Sequence, residues 1–367
     1  MSFLQWLIYK RKREDFQPRR ICVYRIGNVG DLLCTIPALW QIRHKYPMAK
    51  ITLLSSPGKR GGISAESVLS GIKCLDDIQL YYNDEVKDWK GCSNLRRRLQ
   101  KMEFDYLIQI PPMGARLLRQ IRNLVFFRLV GFKVADGFYT TKLDSFMRTQ
   151  MLNDHAMREA VRCVKQLPFA NDGKIEFVFD ATLAEKEKVR RVLQDKGVLS
   201  ERPLLAISFA GKDPAKKWPH ENFSDLAGRW IRKRHGVVAI IGGRAEKSEA
   251  EIILQGISDK ERSAAVNLCG EFSICESLSF LSDCDVLVSI DTGTAHMSSI
   301  TGTPCIDLCS AYNLPNYWFA YGENVKIIRK DLPCAPCGRS SCPRAEYGVC
   351  MQAITVDEVW QKVLGLR

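Results

Sequence analysis

No apolar run in this chain approaches the roughly 20 residues that a bilayer-spanning helix needs. A secretory leader is not expected either. The apolar residues 3–9 precede the cations Lys10, Arg11, Lys12 and Arg13, the reverse of a signal peptide's order. There is no internal repeat and no low-complexity tract. The dinucleotide fingerprint GxGxxG is absent, which argues against a two-domain epimerase working on a nucleotide sugar. Carboxylates are in the minority, 41 Asp and Glu against 54 Lys and Arg, leaving a net charge of +13. That balance favours an acidic partner: nucleic acid, an anionic membrane face or a phosphorylated substrate. Nucleic acid fits least, because basic stripes interleaved with aromatics are not found.

What is present reads as an ordinary globular protein, with 46% hydrophobic and 26% charged residues, so disorder is excluded. A length of 367 residues points to two domains rather than one core. On that expectation the compartment is the cytoplasm, where the 14 cysteines stay reduced. Ten of them are scattered singly, several in apolar runs where cysteine acts as a small hydrophobe.

The informative stretch is residues 286–303, VLVSIDTGTAHMSSITGT. Its apolar, β-branched opening fits a strand buried on both faces. Asp291, Thr292, Gly293 and Thr294 break the pattern with turn and cap residues, and residues 295–301 read as a short helix stopped by Gly302. A helix start leaves backbone N–H groups without intrahelical partners, so such a turn either seats a phosphate or merely caps a βα unit. Asp291 and His296 lie at the same mouth.

Two α/β series flank this picture. In the first, strands are expected at residues 21–26, 50–54, 78–82, 105–110 and 133–136, alternating with helices, which predicts a parallel sheet. The turn after the first strand, Gly27-Asn28-Val29-Gly30-Asp31, puts a carboxylate where open α/β sheets hold their ligands. Asp31 is there either as a general base or as a helix-capping aspartate. In the second series, Thr182 and Glu185 form a capping box, and strands are expected at residues 203–208, 237–241, 266–269, 286–290 and 305–309. The loop after the first of these carries Lys212, Lys216 and Lys217, placed to neutralise phosphate oxygens. The expected divisions are a basic amphipathic segment 1–20, a first domain 21–175, a second 176–350 and a terminal helix 351–367. The first segment is a membrane-contacting anchor, a helix packed on its own domain or a frayed tail. Cys334, Cys337, Cys342 and Cys350 are either zinc ligands or free thiols with an occasional disulfide, since the first CxxC suits zinc and the later spacings are compact.

Four stretches in order carry a family likeness: RIGNVGDLLCTIPAL (25–39), PAKKWPHENF (214–223), SIDTGTAHMSSITGTP (289–304) and the cysteine-bearing tail (334–354). With them the chain resembles glycosyltransferase family 9, the heptosyltransferases of lipopolysaccharide core assembly. The resemblance implies an α/β fold of the GT-B class, two Rossmann-like domains with parallel sheets facing across a cleft. The acceptor belongs to the first domain, the nucleotide-sugar donor to the second, and the last helix crosses back. It implies an inverting transfer of a heptose-type sugar from an ADP-activated donor such as ADP-heptose to an anionic lipid-linked glycan, with no cofactor required. By the same likeness Asp31 is the base, with Gly27, Asn28 and Gly30 in the acceptor-side loop. Lys216 meets the donor diphosphate, Glu246 the ribose and Phe272 the adenine. Asp291, Thr292, Gly293, Thr294 and His296 form the donor turn. A monomer touching the inner face of the inner membrane is expected. The other readings are transfer onto another surface polysaccharide and a non-catalytic nucleotide- or nucleic-acid-binding protein.

Overall fold

Two parallel sheets organise the chain in a computed structural model that describes residue 9 and residues 16–112, 117–138, 157–169, 175–198 and 201–366. Most of the basic N-terminal segment lies outside the described residues. The chain divides into two units, Met1–Val178 and Phe179–Arg367.

The first unit runs β1 (Arg20–Tyr24), α1 (Val29–Leu33), α2 (Ile36–Lys45), β2 (Lys50–Ser55), α3 (Ala65–Leu69), β3 (Asp77–Leu80), α4 (Trp89–Gln100), β4 (Tyr106–Gln109), α5 (Leu117–Val130), β5 (Val134–Asp136) and α6 (Glu159–Lys165). Its strands pair in parallel in the order β3-β2-β1-β4-β5, so the order reverses between β1 and β4. Ile21, Cys22 and Val23 are wholly buried, as a strand covered on both faces requires. The helical stretch that follows β1 is broken in two, α1 and α2. Pro37 stands in the first turn of α2, where its missing N–H costs nothing.

The second unit runs α7 (Leu183–Asp195), β6 (Leu204–Ser208), a single 3₁₀ turn (Pro214–Lys216), α8 (His220–Arg234), β7 (Val237–Ile240), a 3₁₀ turn (Arg244–Glu246), α9 (Lys247–Gln255), α10 (Asp259–Arg262), β8 (Ala265–Asn267), α11 (Ile274–Ser282), β9 (Val286–Ile290), α12 (Gly293–Thr301), β10 (Cys305–Cys309), β11 (Val325–Arg329), α13 (Val349–Gln352) and α14 (Val356–Leu364). The sheet order is β11-β10-β9-β6-β7-β8, again all parallel, with its reversal between β9 and β6. The capping box at Thr182 is made in both directions, at 3.3 and 2.7 Å.

His235, not Gly236, takes the left-handed position that ends α8, at φ 53°. Gly236 is needed for closeness instead, since a Cβ there would fall 2.1 Å from Trp230 Nε1. The terminal helix α14 buries Val356, Val359 and Val363 in the second unit's own core, beside α8 and β10. Nine of the cysteines are buried, and all are free among the described residues. None of the helices among the described residues is long and apolar enough to cross a membrane.

Candidate active site

In the first unit, Asp31 lies just past the carboxyl end of β1, beside the reversal point of the sheet. It is the third residue of α1 rather than its N-cap. One carboxylate oxygen accepts from the Asn28 N–H at 2.9 Å, and the other accepts from Arg25 Nη2 at 3.2 Å. A Cβ on Gly27 would stand 2.2 Å from Asp31 Cβ, so only glycine lets the carboxylate fold back over the loop. Capping and exposure therefore coexist: the side chain of Asp31 remains 15% accessible while it steadies the helix start. Asn28 is exposed, and Gly27 and Gly30 are half-buried.

Behind Asp31 is a buried ionic network that the sequence did not reveal. Arg25 is completely buried. Its Nη2 also donates to Glu159 Oε1 at 2.9 Å, and its Nη1 to the Ile110 carbonyl at 3.3 Å. Glu159 in turn receives Arg162 from the next turn of α6. Burial alone would push the Glu159 carboxyl up. The Arg162 and Arg25 guanidiniums outweigh that and hold it below the usual carboxylate range. Arg25 stays charged for the converse reason, with burial opposed by the surrounding negative charge. No local signal joins residue 25 to residue 159, and α6 itself was not foreseen.

In the second unit, the expected donor residues all follow the carboxyl ends of neighbouring strands: Lys216 after β6, Glu246 after β7, Phe272 after β8 and Asp291 after β9. Lys216 Nζ lies 2.9 Å from Asp291 Oδ2 and 3.3 Å from the Asp291 carbonyl, over the face of Tyr312 at 5.3 Å. Burial lowers the lysine's proton affinity, but the Asp291 carboxylate more than restores it, so the ammonium persists above its ordinary range. The three loop lysines have separate fates. Lys217 pairs with Glu249 at 2.6 Å, which also holds His220 at 2.8 Å, whereas Lys212 is exposed.

Thr292 is the extended N-cap of α12, so the N–H groups of Gly293 and Thr294 open the helix. Gly211, from the β6 loop, comes within contact of this turn: a Cβ there would meet Ile290 Cδ1 at 3.0 Å and Thr292 Cγ2 at 3.5 Å. His296 is buried on the inner side of α12, unlike the half-buried Thr292, Gly293 and Thr294. Glu246 folds over Gly243, whose Cβ would fall 2.7 Å from Glu246 Oε2. Phe272, half-buried, stacks on Phe280 with ring centroids 5.5 Å apart. A further carboxylate escaped the sequence reading. Asp307 on β10 is wholly buried, and its carboxyl is pushed up to about 7, first by burial and then by the Asp291 charge.

The four tail cysteines are not gathered into a zinc knuckle. Cys350 accepts from the Ala311 N–H at 3.4 Å and sits 3.5 Å from Ser310 Oγ. Cys342 is drawn down from its ordinary thiol range by backbone N–H groups, first that of Val349. Cys334 and Cys337 are exposed. Among the described residues no three His, Cys, Asp or Glu side chains converge on a metal position. The tail also has a packing role. The Ser340 carbonyl accepts from the Ala215 N–H at 3.0 Å, and a Cβ on Gly348 would lie 2.5 Å from the Ala215 carbonyl oxygen. The tail thus holds the turn that carries Lys216.

A family model described as "Glycosyltransferase family 9 (heptosyltransferase)" matches residues 93–347. That span contains Lys216, Glu246, Phe272 and the turn at residues 291–296, and it begins after Asp31. The chain is 22% identical to a lipopolysaccharide core heptosyltransferase, OpsX, of Haemophilus influenzae, covering 84% of this chain and 86% of that one. It is 26% identical to lipooligosaccharide heptosyltransferase 2 of Campylobacter jejuni, covering 92% and 95%. Among solved structures, a family 9 glycosyl transferase from Veillonella parvula superposes with a TM-score of 0.78 at 15% identity, covering 97% of this chain and 99% of that one. Escherichia coli ADP-heptose lipopolysaccharide heptosyltransferase II superposes with a TM-score of 0.69 at 17% identity, covering 95% and 98%. These structural likenesses concern the fold: two parallel-sheet α/β domains of the GT-B class.

Proposed function

The chain belongs to glycosyltransferase family 9, and from that premise we propose that it moves a heptose from an ADP-activated donor onto the anionic, lipid-linked core of lipopolysaccharide at the cytoplasmic face of the inner membrane. The names of its relatives support the sugar and the acceptor class. The observation that carries the donor side is the half-buried ammonium of Lys216, 2.9 Å from Asp291 at the opening of α12. A diphosphate placed there meets a cation and unpaired N–H groups together.

The reaction is a single displacement with inversion. Asp31 takes the proton of an acceptor hydroxyl, whose oxygen attacks the anomeric carbon of the donor. The bond from that carbon to the diphosphate oxygen breaks, and the nucleoside diphosphate departs with the electron pair. Charge grows on the leaving oxygens during this step, so Lys216 and the Gly293 and Thr294 N–H groups favour the transition state over the ground state. Glu246 receives the ribose hydroxyls and Phe272 borders the base. His296 steadies the donor turn from within α12, and Gly27, Asn28 and Gly30 shape the acceptor loop. The net charge of +13 draws the anionic acceptor.

The test is a donor screen with the purified protein, reading nucleoside diphosphate released in the presence of a heptose-deficient core acceptor. Acceptor-dependent release from ADP-heptose, and not from UDP- or GDP-sugars, is the expected result. Turnover with another donor would redirect the reading to a different surface polysaccharide. Retention on RNA or heparin without any turnover would move it to a binding protein.

A further inference from the structure

The first unit carries a surface that sugar transfer does not use. On α5, Leu118 is 80% exposed, Ile121 36%, Val125 45% and Leu129 49%. Their spacing, i, i+3, i+7 and i+11, puts all four in one stripe along the helix. The opposite face is firmly seated. Leu124, Phe127 and Val130 enter the core, and Asn123 Nδ2 donates to Gln109 Oε1 on β4 at 2.9 Å. The stripe is therefore a second apolar face on a helix that has already used its first. Arg122 and Arg128 flank it by position, and both are exposed.

The neighbouring helix α4 extends the same character. It packs on α5, and Gln100 Nε2 near its end reaches the Leu129 carbonyl at 3.3 Å. Trp89 at its start is 82% exposed. Together α4 and α5 hold Lys90, Arg96, Arg97, Arg98, Arg119, Arg122 and Arg128, with no Asp or Glu on either helix.

We infer that the α4–α5 face docks on an anionic lipid bilayer, with the Leu118–Ile121–Val125–Leu129 stripe in the acyl–headgroup boundary and the surrounding arginines on lipid phosphates. Two further observations favour a bilayer over an acidic protein. The stripe is a line of aliphatic side chains flanked by long cations, the chemistry of a helix lying in a membrane interface. Tyr9 is also buried against this helix, its hydroxyl donating to the Leu124 carbonyl at 2.8 Å. That contact ties the chain beside α5 one residue before the basic run that begins at Lys10. The placement serves the chemistry as well. α5 starts beyond the carboxyl end of β4, which pairs with β1, and Asp31 follows the carboxyl end of β1. A lipid-linked acceptor would then be met by the edge of the sheet that carries the carboxylate.

The choice of a bilayer as occupant rests on the lipid-linked acceptor proposed above, but its test needs neither donor nor acceptor. Full-length protein is sedimented with phosphatidylcholine vesicles, and with vesicles containing phosphatidylglycerol, at low and high salt. Wild type is expected to bind only the anionic vesicles, with weakening at high salt. A triple variant, Leu118→Ser, Val125→Ser and Leu129→Ser, is expected to lose binding by about tenfold or more, each buried methyl group contributing to the partition. Arg122→Glu with Arg128→Glu should do the same while flattening the salt dependence. Unchanged melting temperatures show that these surface changes leave the fold intact. Equal binding to neutral and anionic vesicles, or a triple variant that binds like wild type, would overturn the inference. So would a wild-type dimer that the triple variant converts to monomer, since a second copy would then be the occupant. Loss of vesicle binding with transfer to a soluble acceptor intact separates this surface from the catalytic reading.

Discussion

Asp31 and Lys216 occupy equivalent places in their two units, each just past a strand that adjoins the reversal of its parallel sheet, yet they are held by opposite means. Asp31 is held from behind, by a buried chain of charges running through Arg25 to Glu159 and Arg162. Lys216 is held from in front, by the Asp291 carboxylate at the mouth of the neighbouring turn, with the cysteine-bearing tail packed against its loop. The contrast fits the roles proposed for the two residues. A base has to keep its carboxylate oriented and ionised while meeting a neutral hydroxyl, so its counter-charge is fixed in the protein. A diphosphate-binding lysine must exchange its partner when the donor arrives, so its counter-charge stands at the mouth where the ligand competes for it.

Loss of the base itself aside, the largest expected effect comes from removing the exchangeable cation. Lys216→Ala should lower kcat/KM by about 100- to 1,000-fold, in the range seen when one transition-state charge donor is deleted. A loss confined to KM would show that the lysine binds donor and transition state equally, breaking the contrast.

Glu159→Gln tests the fixed side. It leaves Arg25 and Arg162 buried with one negative charge fewer, and should cost about 2–4 kcal/mol of stability in denaturant titration at neutral pH. The sign with pH follows from the depressed carboxyl of Glu159. Its contribution is present above the unfolded value, about 4.3 for glutamate, and is lost as pH falls through the lower folded value. The variant should therefore differ from wild type most at neutral pH and converge with it in acid. A stability gap that persists unchanged to low pH would contradict the network.

Gly27→Ala sharpens the comparison at the loop itself. Its Cβ collides with Asp31 and displaces the carboxylate, so turnover should fall by about 10- to 100-fold, as misplaced catalytic groups do. Binding of ADP to the second unit should be unaltered, as read by calorimetry.

The smallest effect is expected at Asp307. Its folded carboxyl is raised to about 7, against about 3.9 unfolded, so stability falls as pH rises between those values. Asp307→Asn should remove that decline and stabilise the protein at pH 8 by on the order of 1–2 kcal/mol. A destabilised variant at pH 8 would mean that the ionised carboxylate is needed by the Lys216–Asp291 pair.

How much of this was legible in sequence depends on how far a contact reaches along the chain. The turns at residues 27–31 and 291–294 were legible because a strand, a glycine-bearing turn and a helix start are contiguous, and each element is dictated by its own residues. Lys216 was legible for the same reason, although its separation in role from Lys217 depends on Glu249, some thirty residues away. The Arg25–Glu159 pair joins residues 134 apart and follows only from the packing of α6. The edge strand β11 was missed because its exposure pattern alternates weakly. The tail's CxxC spacing left zinc ligands and free thiols open, and its packing through Ser340, Gly348 and Cys350 rests on contacts with residues far away in the chain.

The central claim is that proton removal belongs to Asp31 and donor binding to the second unit. The most direct measurement takes Asp31→Asn and determines, on one preparation, the dissociation constant of ADP and the turnover number for ADP release in the presence of acceptor. The account predicts an ADP affinity within about twofold of wild type with turnover lowered by about 100- to 10,000-fold, the usual contribution of a general base. Near-normal turnover, or an ADP affinity that collapses together with it, would contradict the account.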